Sequence, residues 1–259
     1  MAAASIALGV VIGVALGVLG GGGSILTVPI FVYLLGFGAK EAIAMSLAVV
    51  GATSVAGVAG HWRSGHVNAR MGLLFGAVAM LGTYVGTRMA GYLTGAAQLA
   101  LFAIVMLAAA VLMMRGRVAP PPHDDDAAAP FGRRRVSRIG LQGLAVGTLT
   151  GLVGVGGGFL IVPALVLLGL PMHRAVATSL LVIALNCAIG LVGYLGQVSI
   201  TWWAVALLVV GTVPGILVGT YLIRFVSPEG LRRSFALLLV LIATYILYEN
   251  LATAVAAAR

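Results

Sequence analysis

Ten apolar segments follow one another along the chain, at approximately residues 5–19, 24–36, 40–60, 70–93, 96–114, 138–154, 158–170, 172–195, 200–225 and 231–250. No soluble domain has enough polar surface to cover that much apolar chain. With 61% hydrophobic and 8% charged residues, the 259-residue sequence reads as a polytopic membrane protein. Lipid offers backbone groups no partner, so only helices or closed barrels span it. The runs are continuous rather than alternating ten-residue stretches, which excludes a barrel and predicts an all-α fold. A net charge of +9 would suggest nucleic acid in a soluble protein; here the basic residues sit in loops, where cytoplasmic retention explains them. The single cysteine, Cys187, lies within a segment and allows no intrachain disulfide. The first apolar run lacks a preceding basic region, which argues against a cleaved signal peptide.

Inside this apolar background one motif occurs twice, as Gly17-Val-Leu-Gly-Gly-Gly-Gly-Ser-Ile-Leu-Thr-Val-Pro29 and Gly151-Leu-Val-Gly-Val-Gly-Gly-Gly-Phe-Leu-Ile-Val-Pro163, identical at seven of thirteen positions. The duplication runs further. Gly9 and Gly13 are echoed by Gly143 and Gly147. After a one-residue gap beyond Leu34, Gly36, Ala42, Ser46 and Leu47 match Gly169, Ala175, Ser179 and Leu180. Gly57 and Gly60 match Gly190 and Gly193, and Gly82, Gly86 and Thr87 match Gly215, Gly219 and Thr220. The organisation is therefore a first transmembrane repeat over 1–114, a polar linker over 115–137 and a second repeat over 138–259. The linker carries Pro120-Pro-Pro-His-Asp-Asp-Asp and Arg133-Arg-Arg; its acidic run is a solvated charge block rather than a metal site.

Segments 5–19 and 24–36 are each shorter than the roughly 20 residues a span needs. They form one broken span, a helical hairpin returning to its own side, or two short spans. Basic residues favour an odd number of crossings per half. Counted that way, Arg63, Arg70, Arg115, Arg117, Arg133, Arg134, Arg135, Arg138, Arg174, Arg224, Arg232 and Arg233 share one face, while Lys40, Arg259 and Arg88 stay on the other. The expectation is two inverted repeats, each a glycine-broken hairpin plus three transmembrane helices, with the linker cytoplasmic and both termini outside.

Glycine clusters break helices, and two matched breaks point to a transporter site at a repeat interface. Half-helices restarting at Ser24 and Gly158 would present unpaired amide N–H groups and the positive end of a helix dipole to a small anion. The other reading is a tight turn capped by water or neighbouring hydroxyls. The candidate substrate-binding residues are Gly20, Gly21, Gly22, Gly23, Ser24, Gly154, Gly156, Gly157, Gly158 and Phe159 at the breaks. Ser46, Thr53, Thr178, Ser179 and Asn186 join them within the following spans. A membrane Ser or Thr also commonly bonds its own helix carbonyl, and Arg88 can be explained by snorkelling. His61, His66 and His173 read as interfacial. No carboxylate lies deep in a span, so the usual proton relay or cation site is missing and a donor-rich site suits an anion. Gly-xxx-Gly faces on residues 9–17, 82–86, 143–151 and 211–219 read as close helix packing.

The doubled break-and-proline element, with the later Ala44-Met-Ser46-Leu and Ala177-Thr-Ser179-Leu, resembles the sulfite exporter TauE/SafE family over essentially the whole chain except the linker. The resemblance implies an inner-membrane permease for small sulfur-containing anions such as sulfite or organosulfonates. Its expected mode is export by alternating access, with the lipid bilayer and a small anion as partners and no cofactor, metal, nucleic acid or enzymatic activity. A homo-oligomer stands as an option. The alternatives are a permease for another small solute or a cation, and a non-transport membrane protein. The first motif departs from the second in carrying Ser24 where the other has Gly158, so the two breaks need not contact substrate equally.

Overall fold

The computed structural model describes residues 2–63, 65–115, 133–154 and 158–257. Its described elements are helical: α1 (Ala2–Leu19), α2 (Ser24–Pro29), α3 (Ala39–Arg63), α4 (Ala69–Ala90), α5 (Gly95–Arg115), α6 (Arg133–Val153), α7 (Gly158–Leu167), α8 (Met172–Tyr194), α9 (Trp202–Leu222) and α10 (Pro228–Ala257). Six of them, α3, α4, α5, α8, α9 and α10, contain stretches long and apolar enough to cross a membrane. The protein is an all-α polytopic membrane protein. Of the expected linker, residues 116–132 lie outside the described residues, while 133–137 already belong to α6.

Glycine-lined seams pack the helices. Gly9, Gly13 and Gly17 of α1 lie in step against Gly211, Gly215 and Gly219 of α9, so these two helices run parallel. A methyl group at Gly9 would sit 2.7 Å from the Leu208 carbonyl oxygen, and one at Gly13 would collide with that of Thr212. The same seam recurs between α4 and α6, where Gly147 lies on Ala79 and Gly151 on Thr83. Thr83 Oγ1 adds a bond to Gly147 O across it (3.2 Å). Small residues are needed here because membrane helices associate through close backbone approach rather than through the hydrophobic effect.

At the centre α3 and α8 cross in opposite directions: Leu47 meets Gly190, Gly51 meets Cys187, and Gly57 meets Leu180. α4 runs parallel to α8, with Gly72 at Thr178 and Leu181 and Gly76 at Leu185; α3 runs parallel to α9, with Gly57 at Ile216 and Gly60 at Thr220. It follows that α1, α3 and α9 point one way, and α4, α6 and α8 the other. α1 and α3 share a direction, so the chain between them turns back, and Gly23 does lie against Ile12 and Leu16 of α1. A single broken span across residues 5–36 is excluded.

One irregularity explains the one-residue gap in the repeat. After Pro29 the backbone takes a π turn over Ile30–Leu34, closed by Leu35 N–H on Ile30 O (3.0 Å). In the second half α7 stays α-helical to Leu167, and Gly169 (φ +95°) follows it as Gly36 (φ +74°) follows the π turn. Pro163 equally lacks an N–H and leaves α7 regular, so the proline is not the cause; the i→i−5 turn accommodates the additional residue of the first half.

Charge separates the two ends of the bundle. One end gathers the α4–α5 and α8–α9 turns, where Lys40 Nζ donates to Gly91 O (3.4 Å) and Ser199 Oγ to Glu41 (3.0 Å). The opposite end holds the starts of α4, α6, α8 and α10, and with them Arg70, Arg138, Arg174, Arg232 and Arg233. There Asn68 caps α4, its Oδ1 accepting from Met71 N–H (3.0 Å), and His173 Nε2 meets Val226 O (3.3 Å).

Candidate functional site

Each break begins with a glycine in the left-handed region. Gly20 has φ +65° and Gly154 has φ +74°, conformations that side-chain-bearing residues rarely adopt. Beyond Gly20 the chain winds through a 3-10 turn, Gly20–Gly23, before α2 starts at Ser24. The second break is described again from Gly158, the first residue of α7.

The two breaks meet. Gly21 lies directly on Gly158, and a Cβ at either position would fall onto the other's main chain. Each is also covered from the opposite half. A Cβ at Gly20 would sit 2.9 Å from Ser179 Oγ and 3.2 Å from Val176 Cα; Gly154 lies on Ile43, and Ser46 Oγ reaches Gly154 O at 3.4 Å. Ser46 and Ser179 are repeat equivalents, as are Ile43 and Val176, so one arrangement is built twice. Ser24 Oγ donates to Gly21 O (2.6 Å), closing the first break with a hydroxyl that the second lacks.

The expected site residues on the following helices have further partners. The hydroxyls of Ser46, Ser179 and Thr53 each bond a carbonyl of their own helix, on Ile43, Val176 and Val49 respectively, all at 2.7 Å. Thr53 Oγ1 also pairs with Thr212 Oγ1 on α9 (2.6 Å). Thr178 faces the start of α4, its Oγ1 accepting from Asn68 N–H (3.0 Å). The Phe159 ring packs edge-on against Phe102 of α5, centroids 5.6 Å apart, so only its backbone stands at the break. Gly22 lies within the 3-10 turn; Gly156 and Gly157 lie outside the described residues. Asn186 is fully buried, and neither its Oδ1 nor its Nδ2 has a hydrogen-bond partner. Arg88 is at the periphery, donating to Tyr84 Oη (3.1 Å) and lying over its ring, as snorkelling requires.

The histidine expectation needs correction for one residue. His66 is exposed and His173 half-buried, but His61 is only 3% exposed, its ring set against the Gly17 backbone. Its repeat counterpart Tyr194, which no sequence motif singles out, donates from Oη to Gly151 O (3.4 Å). Gln98, equally unmarked in sequence, is fully buried, and its Nε2 donates to Tyr194 Oη and to Leu152 O, both at 3.0 Å. Extending the repeat register four residues beyond Gly57 and Gly190 would have paired His61 with Tyr194, each over the last glycine of a Gly-xxx-Gly row.

The Gly21 and Gly154 carbonyls thus accept bonds from the hydroxyls of Ser24 and Ser46. Two half-helix N-termini converging on one point suit negative charge.

The model of the family described as Sulfite exporter TauE/SafE matches residues 5–246. Two proteins of Xylella fastidiosa, from strains 9a5c and Temecula1, are each described as a probable membrane transporter protein. They are 34% and 32% identical to this chain, with 97% of each chain covered. The probable membrane transporter protein YdhB of Bacillus subtilis is 25% identical over 80% of this chain and 84% of its own. No solved structure matches the chain.

Proposed function

This chain belongs to the TauE/SafE family of membrane transporters, and from that membership we propose that it moves a small sulfur-containing anion of the sulfite or organosulfonate type across the inner membrane, as an exporter. The observation that carries the reading is the junction of Gly21 with Gly158. It brings the positive ends of α2 and α7 together in the middle of the bundle. The break carbonyls are already engaged by Ser24 and Ser46, which favours an anion on the amides over a cation on the oxygens.

The transport cycle we propose is alternating access between two inverted repeats, residues 1–114 and 138–259. The opposed directions of α1 and α6, of α3 and α8, and of α4 and α9 support it, as does the doubled seam packing. Ser46 and Ser179 each reach from one repeat to the other's break, so moving one half against the other alters both contacts together. The end bearing Arg70, Arg138, Arg174, Arg232 and Arg233 is cytoplasmic in this reading, and both termini are outside.

The test is a panel of sulfite, thiosulfate, sulfoacetate, sulfate and chloride presented to the purified protein, read by calorimetry and thermal shift. Sulfur oxyanions should bind and stabilise, and chloride should not. Binding of chloride or of sodium in preference to every sulfur oxyanion would overturn the reading.

A further inference from the structure

Asn186 breaks the symmetry of the site. Its repeat equivalent, Thr53, is satisfied twice, by Val49 O and by Thr212 on the neighbouring helix. In the second half the position equivalent to Thr212 is Ala79, which offers no polar atom. Asn186 is 0% exposed, and both polar atoms of its carboxamide lack a partner. Burying an unmade donor and an unmade acceptor together is costly, and native interiors rarely tolerate it without a ligand or water to fill the gap.

Its direction follows from its helix. Ser179, Ile183 and Asn186 lie at i, i+4 and i+7, on one stripe of α8. Ser179 covers Gly20, and Ile183 Cδ1 would sit 2.8 Å from a Cβ on Gly158, the first residue of α7. Asn186, one turn further on, therefore stands on the face of α8 that carries both breaks.

We infer that the Asn186 carboxamide is a specificity-determining contact for the transported anion, and that it selects a monoprotonated oxyanion, of the hydrogen sulfite kind, over a fully ionised one. A carboxamide presents N–H donors and a carbonyl acceptor side by side. A sulfonate or fully ionised sulfite carries only acceptors; it can take the Nδ2 protons but leaves Oδ1 unpaired in an apolar interior. An oxyanion with one O–H satisfies both, donating to Oδ1 while another oxygen accepts from Nδ2. The amide is uncharged and does not repel the ligand, and the α7 N-terminus supplies the complementary positive potential. Sites that hydrogen-bond a ligand hydroxyl discriminate strongly against analogues without it, because the site's own group is then left unpaired.

This inference rests on the anion-transport reading, and the experiment separates the two. Binding of sulfite is measured by calorimetry on the full-length protein at several pH values on both sides of its second ionisation. Methanesulfonate, whose charge is constant over that range, is measured in parallel. In wild type, affinity for total sulfite should fall about tenfold per pH unit above the ionisation, following the protonated fraction. Methanesulfonate should bind more weakly and without slope. Asn186→Leu should lose about tenfold or more of the sulfite affinity at low pH and lose the slope, with methanesulfonate changed less than about threefold. The variant should melt no lower than wild type, because it removes unsatisfied groups. A second variant, Ala79→Thr with Asn186→Thr, copies the Thr53–Thr212 pair and carries the same expectation should the leucine variant not fold. Sulfite affinity within threefold of wild type in either folded variant, or equal loss for both anions, overturns the role of Asn186. A wild-type protein that binds neither anion overturns the transport reading beneath it.

Discussion

The two glycine breaks open on the same left-handed glycine, Gly20 and Gly154, and differ in nearly every polar side chain around them. The first carries Ser24, bonded to Gly21 O; the second has Gly158 there. Over the first half, Thr53 is paired with Thr212; over the second, Asn186 faces no such partner. At the row-ending glycines the first half places His61 near Gly17. The second places Tyr194 on Gly151, held by Gln98, whose counterpart in α10 is the buried Leu231. Backbone approach demands glycine or alanine at every seam, so drift there is penalised on both sides equally. The polar lining is held only by whatever each half must recognise or satisfy. The glycine pattern recurs between the two halves of the sequence, and the polar side chains set on it do not.

The comparison presumes that the halves face opposite ways, and that has an all-or-none test. Cysteines placed at Ala119 and Ser227 should both be protected from an impermeant thiol reagent in intact cells, and one at Ala2 should be labelled. Native Cys187 is buried, 1% exposed. Opposite accessibility of the first two positions would return the halves to a parallel arrangement and dissolve the proposed symmetry.

Next in size is the junction itself. Gly21→Val and Gly158→Val each place a side chain into the other break's main chain, so either should reduce flux to the level of empty proteoliposomes. Loss with one variant and near-normal flux with the other would mean that the asymmetry extends to the backbone, with a single break handling substrate.

The seams should respond as equals. Gly13→Val meets the Thr212 carbonyl and Gly147→Val the Ala79 carbonyl, in the same geometry. Each should destabilise by about 1–3 kcal/mol, at the upper end of that range because backbone cannot yield as a side chain can. Thermal unfolding in detergent measures both, and a difference well beyond that range would show that the α1–α9 and α4–α6 seams are not doing the same structural job.

Much of this architecture is written in residue types with a single physical use. Apolar runs specify spans, and the matched glycines at 20 and 154 specify left-handed breaks. The gap after Leu34 marks one additional residue, but no residue type there specifies the π turn that absorbs it. The candidate site is less legible. Ser46, Thr53 and Ser179 look alike in sequence whether they line a cavity or bond their own helix, because the i−3 and i−4 carbonyls are common acceptors for a helical hydroxyl. Thr178 and Phe159 turned out to serve the α4 cap and the α5 packing, contacts with helices distant in the chain. His61, Tyr194 and Gln98 sit near segment ends, where sequence alone suggests solvent or headgroups; only the packing of α1 and α6 against them reveals burial.

The smallest effect lies where the α3–α8 crossing is least symmetric in chemistry. Ser54 and Cys187 are repeat equivalents, both buried, and Ser54 Oγ has no hydrogen-bond partner. A thiol is a weak donor that tolerates such surroundings, whereas a hydroxyl loses its hydration without recovering it. Ser54→Cys should therefore be neutral or stabilising, by up to about 1 kcal/mol, since it copies the solution already used across the crossing. Cys187→Ser should go the other way, by about 1–3 kcal/mol, by creating a second unpaired hydroxyl. Neither residue belongs to the proposed anion contact, so transport by both variants should stay within about twofold of wild type at a temperature where both are folded. Melting temperatures of the two single variants and of the exchanged pair, Ser54→Cys with Cys187→Ser, provide the measurement. If Ser54→Cys instead destabilises by more than 1 kcal/mol, or removes transport, its hydroxyl has a ligand that binds at the crossing, and the first half contributes a polar contact of its own.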